Sequence, residues 1–257
     1  MSELFKSPVM PDFNTLATMG AIPNAKTVIV SGHHPDIDSE TRDLWGSDSN
    51  FHFLSSAERM DIVSSSANDS VSGIGLQAVN IFGLDSDFKE INETVILNGA
   101  TAVKTVKSYL RINMLIGVQC GSHETNAGDI TATAETSSTL QDVIKADKGV
   151  SHSGKYTVPV GYTAFPFYYC MDVNRTLGIA GSLADFRIKT RYNLLNPSAP
   201  WLEMLDMQID TNNSCFESMT PPIFIDWYEK TDIKLDAVCD NNNINCRAIL
   251  CLILLKK

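Results

Sequence analysis

Long apolar runs, dense cysteine and positive charge are all scarce in this 257-residue chain. The longest apolar stretch, Ala248 to Leu255, has eight residues, whereas a membrane-spanning helix needs about 20. The opening Met1–Pro8 lacks the apolar core of a secretion signal. The sequence therefore predicts neither a membrane span nor an export signal. Lys and Arg number 20 against 30 Asp and Glu, for a net charge of −10. A chain this acidic repels a phosphate backbone, which argues against nucleic acid as its main partner. No period of 20–50 residues repeats, which argues against a propeller or solenoid.

The six cysteines (Cys120, Cys170, Cys215, Cys239, Cys246 and Cys251) show no dense spacing. Buried free thiols in a reducing cytoplasm are the expectation, with a single disulfide among Cys239, Cys246 and Cys251 left open. Four Asn-x-Ser/Thr tripeptides, beginning at Asn68, Asn92, Asn174 and Asn212, read as chance matches in a chain without an export signal. What the chain has in quantity is Ser, Thr and Asn, 61 against 50 charged residues, beside 44% hydrophobic residues. That mixture builds a core and favours turns and polar strand faces over long helices.

The pattern along residues 76–193 has period two. Val79 and Ile81 alternate with Asn80, and Thr94–Leu97 runs into the turn dipeptide Asn98-Gly99. Leu110, Ile112, Met114, Ile116 and Val118 share one face, with Tyr109, Arg111 and Asn113 on the other. Ile130, Ala132 and Ala134 make a face, as do Phe165, Phe167, Tyr169, Met171 and Val173, and Phe186 and Ile188 oppose Arg187, Lys189 and Arg191. Only Ser138–Ala146 reads as a short helix. The predicted fold is all-β: an antiparallel β-sandwich, jelly-roll-like, with an extended amino-terminal arm (1–45), a sandwich domain (46–235) and an apolar carboxy-terminal tail (236–257). Within the arm only Thr27–Val30 reads as a strand. The tail reads either as a strand in the chain's own core or as one donated to a neighbouring subunit.

No chemical motif survives its context. Gly149 to Lys155 has phosphate-loop spacing, but Tyr156 replaces the magnesium-binding hydroxyl and an extended segment follows. Gly73-Ile-Gly75-Leu-Gln-Ala78 matches a dinucleotide fingerprint, yet a strand follows it where a helix is required. His33, His34, Asp36, Asp38 and Glu40 alternate like a calcium loop, but Thr41 and Ser47 occupy positions that need Gly and Glu. Asp85 and Asp87 fit turn chemistry. Ser151-His152 is a neighbour pair, and catalytic partners meet in space. No catalytic, cofactor-binding or metal-ligating residue is assigned, and no cofactor is expected.

The stretch from Ser64-Ser-Ser-Ala-Asn-Asp69 through Gly73-Ile-Gly75, Val79-Asn-Ile81 and Gly83-Leu-Asp85, then Glu93–Gly99, Leu110–Asn113, Asn126–Ile130 and Tyr156–Tyr162, resembles a β-rich structural module of tailed-bacteriophage virions. The resemblance spans residues 60–170. It implies a particle component made in the host cytoplasm: a capsid decoration (cement) protein, or a neck or tail accessory protein. Its implied partners are copies of itself, with a trimer favoured, and the major capsid or neck and tail proteins. A receptor- or glycan-binding module is a second expectation, resting on the aromatics Phe165, Phe167, Tyr168 and Tyr169. A hydrolase on a β scaffold is a third, and no constellation supports it.

Overall fold

The computed structural model describes residues 12–175, 183–193, 199–210, 216–219, 225–241 and 243–257. One short helix, α1 (Phe13–Thr18), is capped by Asp12, whose carboxylate accepts from Thr15 N at 3.0 Å. Sixteen strands follow among the described residues: β1 (Ala25–Ile37), β2 (Arg42–Asp43), β3 (Met60–Ser64), β4 (Leu76–Leu84), β5 (Glu90–Ile96), β6 (Val103–Lys104), β7 (Arg111–Cys120), β8 (Ile130–Ala134), β9 (Leu140–Ile144), β10 (Lys155–Thr157), β11 (Tyr162–Arg175), β12 (Leu183–Tyr192), β13 (Leu202–Asp210), β14 (Phe216–Met219), β15 (Thr231–Cys239) and β16 (Ile244–Lys256). Every strand pair is antiparallel.

The strands enclose two hydrophobic cores. The first gathers Val30, Tyr169, Phe186, Leu235 and Leu250 from the two ends of the sequence. Its sheets run β1-β16-β11-β14 and β10-β15-β12-β13, with β2 added to β15. Taking its eight main strands in chain order, the first, eighth, third and sixth form one sheet and the second, seventh, fourth and fifth form the other. That is the strand order of a jelly roll, two Greek keys folded into one sandwich. The second core gathers Met60, Ile81, Ile112, Leu115 and Ile130. Its sheets are β6-β3-β8-β9 and β5-β4-β7. The second lobe is therefore inserted whole between the first and second strands of the jelly roll.

This arrangement corrects the reading of the amino-terminal arm and agrees with one of the two readings of the tail. Residues 25–37, assigned above to an arm, form a 13-residue strand paired along its length with β16, from Ala25↔Leu255 to Ile37↔Ile244. The carboxy-terminal run is a central strand, flanked by β1 and β11 and apolar because it packs inside this chain's own sandwich. The division at 45/46 and 235/236 cuts through the jelly roll. The expected helix at 138–146 is β9.

Two face assignments and the helix expectation fail for one reason, a β-bulge that shifts the period by one residue. Asn113 is the extra residue in β7, since Phe82 pairs with Met114 and Gly83 with Ile112. Ile112 and Leu115 therefore point inward, while Met114, Ile116 and Val118 turn outward. Gln141 is the extra residue in β9, and Phe167 in β11. The second of these leaves Tyr169, Met171 and Val173 in the core and puts Phe165 on the other face, with Phe167 beside it. Elsewhere the alternation is as read: Ile130, Ala132 and Ala134 are buried, as are Phe186 and Ile188 opposite Arg187 and Lys189.

Candidate functional site

Turns from 64–76 and 126–128 converge on one side chain. Asp69 is fully buried, and its carboxylate accepts from Leu76 N and Ala127 N at 2.8 Å, from Gly128 N at 3.0 Å and from the Ser64 hydroxyl. A methyl group on Gly75 would sit 2.1 Å from its Oδ1. The glycines of this stretch thus pack turns around a buried carboxylate, and the near-fingerprint Gly73–Ala78 serves that packing and leads into β4.

The other rejected motifs resolve in the same way. Gly149 lies in the left-handed region at φ +67° and feeds β10, where Lys155 is buried with its ammonium donating to Gln141 O. Burial raises the carboxyl pKa of neighbouring Asp142 and lowers that of Lys155. His34 is buried, its Nδ1 accepting from Asp36 N at 3.1 Å, and His33 Nε2 lies 3.1 Å from Asn245 Oδ1. Burial, with the nearby Arg247 charge, pulls His33 down to about 4. Asp36 accepts from Asn243 N and Asp38 from Glu40 N. Among the described residues no three His, Cys, Asp or Glu side chains are grouped to hold a metal. Asp85 accepts from Asp87 N and Lys89 N, as a turn residue does.

Between the lobes lies a polar seam. Arg111 of β7 reaches Asp232 of β15 at 2.9 and 3.1 Å, and Asp232 also accepts from Thr157 and Arg191 at 2.6 Å. The cations lie against aromatic faces: Arg111 and Arg191 both sit 5.2 Å from the Phe53 ring, and Arg191 sits 4.8 Å from Trp201. Arg111, which the period-two reading sets on the face opposite Leu110 and Ile112, is buried and ties the two lobes together.

A groove of about 650 Å³ runs along β1. Its floor is the outer face of the inserted lobe, with Phe82, Asn92 and Met114; its wall is Thr27–Ser31; its end is Val150–Ser153. The register fixes which backbone groups face it. Lys256 N bonds Asn24 O, so even-numbered residues of β1 bond to β16 and odd-numbered ones point away. His33 N accordingly reaches His152 O at 3.3 Å, and the backbone groups of Thr27, Ile29 and Ser31 are directed into the groove. Ile29 is 67% exposed there. Ser31 Oγ lies 2.7 Å from His152 Nδ1, a pairing across 121 positions that nothing in the sequence marks. Burial and the charges of Lys148 and Arg247 lower the pKa of His152, so an imidazolium formed by taking the serine proton is disfavoured. The pair ties β1 to the segment that leads into β10. Ser151, the sequence neighbour of His152, instead accepts from Leu115 N at 2.9 Å.

No protein family matches the chain, and no curated protein does. Among solved structures, one of infectious bursal disease virus (Gt strain) aligns over 96% of this chain and 83% of its own at 10% identity, with a TM-score of 0.19.

Proposed function

We propose that the chain is a non-enzymatic structural protein of a virus particle. On its sequence resemblance to tailed-phage virion modules, its role is a capsid decoration protein that binds the major capsid protein and copies of itself, with a trimer the favoured state. The observation that carries this reading is the jelly-roll strand order with a second β lobe inserted whole after its first strand. Jelly rolls recur in viral capsid proteins and lectins, and a fold alone assigns no activity. Here the interior is filled by Tyr169, Phe186 and Trp227, which leaves the outer faces and strand edges as the working surface. A placement at the neck or tail uses the same fold and is the alternative.

Light scattering on the full chain during size-exclusion chromatography tests this proposal. A stable assembly, three times the 28.2 kDa chain mass, supports it. A concentration-independent monomer that also fails to sediment with purified shells overturns it.

A lectin-type role is the second reading, favoured by one observation. The bulge at Phe167 turns Phe165 and Phe167 to the outer face, beside Phe13, which is 48% exposed. A glycan array without hits removes it.

A further inference from the structure

Cys239 is the last residue of β15, and Cys246 is the third of β16. These strands belong to opposite sheets of the jelly roll: Cys239 pairs with Ala184 in one, and Cys246 with His34 and Val173 in the other. Only the four positions 240–243 connect them, so the sheets are drawn together at this end of the sandwich. Both side chains point into the core, 2% and 0% exposed. Their sulfurs lie 3.8 Å apart in an S–H···S contact. A disulfide needs about 2.05 Å, so closure asks for a shift of about 1.8 Å shared between two side chains.

We infer that Cys239 and Cys246 are a redox-sensitive cross-link site that fastens the two sheets of the jelly roll to each other under oxidising conditions. The remaining described cysteines are placed differently. Cys251 lies five residues beyond Cys246 and therefore faces the other side of β16, against Tyr168 and Thr15. Cys170 is opposite Ile249, two positions out of register with Cys251. Cys120 is exposed on the inserted lobe.

The chemistry requires an oxidant, taken here as a small dialkyl disulfide. One cysteine loses its proton and attacks a sulfur of the oxidant, forming a mixed disulfide and releasing one thiolate. The second cysteine loses its proton and attacks the protein sulfur of that mixed disulfide. The Cys239–Cys246 bond forms as the second thiolate leaves. Two protein thiols are oxidised by two electrons, the oxidant is reduced to two thiols, and the released thiolates take up the two protons. The partner sulfur and burial raise the Cys246 thiol well above its usual range. The rate therefore rises with pH.

The test uses the full-length reduced chain, incubated at pH 8.5 with hydroxyethyl disulfide and then digested. Both cysteines fall in the one tryptic peptide Leu235–Arg247. The expected product is that peptide two hydrogens lighter, held in one piece after a further cut before Asp240. Thiols counted in denaturant fall by two more than the number capped by hydroxyethyl groups, as at exposed Cys120, and reduction restores them. The oxidised chain melts at a higher temperature than the reduced one. A Leu235–Arg247 peptide that keeps its reduced mass while Cys120 becomes modified overturns the inference, as does a bond from either cysteine to Cys251. The outcome is independent of the particle role proposed above, since it is read on the isolated chain.

Discussion

Arg111 and Asp232 meet in a two-point ion pair, Nε to Oδ1 at 2.9 Å and Nη2 to Oδ2 at 3.1 Å, although they belong to different lobes of the molecule. Arg111 is 7% exposed and Asp232 is 0% exposed. Arg111 also donates through Nη1 to the carbonyls of Leu54 and Leu110 at 2.7 and 2.8 Å. The inserted lobe is held to the jelly roll by this polar joint, in addition to the two chain crossings.

Replacing Arg111 with Met leaves the Asp232 carboxylate buried and short of its main partner. Loss of one member of a buried pair costs about 3–5 kcal/mol. The variant is expected to unfold at markedly lower urea concentration than the parent. An unchanged midpoint would mean that the joint is not what holds the lobes together.

The same pair sets a pH dependence. Burial pushes the Asp232 carboxyl up, but the Arg111 charge and the hydrogen bonds from Arg111, Thr157 and Arg191 outweigh it and hold the group below its ordinary range. A carboxyl with a depressed folded pKa contributes stability above its unfolded value of about 3.9. That contribution is lost as pH falls through the lower folded value. In the Arg111→Met variant burial is less opposed, and acid relieves the unpaired charge. The stability gap between parent and variant therefore narrows between pH 6 and pH 3 in denaturant titrations. A gap constant across that range would exclude Asp232 as the group responsible.

Deleting residues 246–257 removes most of the strand that pairs with both β1 and β11. The sandwich then lacks Leu250, Leu252 and Leu254 from its core. The truncated chain is expected to lose cooperative thermal unfolding by circular dichroism. A truncated chain that melts like the parent would contradict the placement of this segment as a central strand of the sandwich.

Ser31 and His152 sit in the groove at hydrogen-bond distance, which makes them the natural target for an activity probe. With burial, and then the charges of Lys148 and Arg247, disfavouring the imidazolium, a fluorophosphonate probe is expected to leave Ser31 unmodified, as mapped by mass spectrometry. Stoichiometric labelling at Ser31 would contradict the non-enzymatic reading.

The all-β class and several strand faces were legible because alternation survives wherever pairing is regular, as in β8 and β12. The failures cluster where one residue was added. Asn113, Gln141 and Phe167 each flip the face of everything after them, and no residue type announces a bulge. In β9 the bulge also leaves Leu140, Val143 and Ile144 at the spacing of an amphipathic helix. β1 was read short because His33-His34-Pro35 interrupts its apolar pattern, while the register with β16 carries the strand to Ile37. The inserted lobe was invisible for a different reason: both lobes have period two, so their boundary changes no local pattern. The groove and the Arg111–Asp232 joint depend on pairs about 120 positions apart, which one sequence does not align.

The proposal of a structural component of a virus particle is tested most directly by quantitative mass spectrometry of gradient-purified particles from lysates in which this chain is produced. The account predicts the chain in the particle band at a copy number comparable to that of the shell protein. Abundance in the infected lysate with absence from purified particles would contradict it.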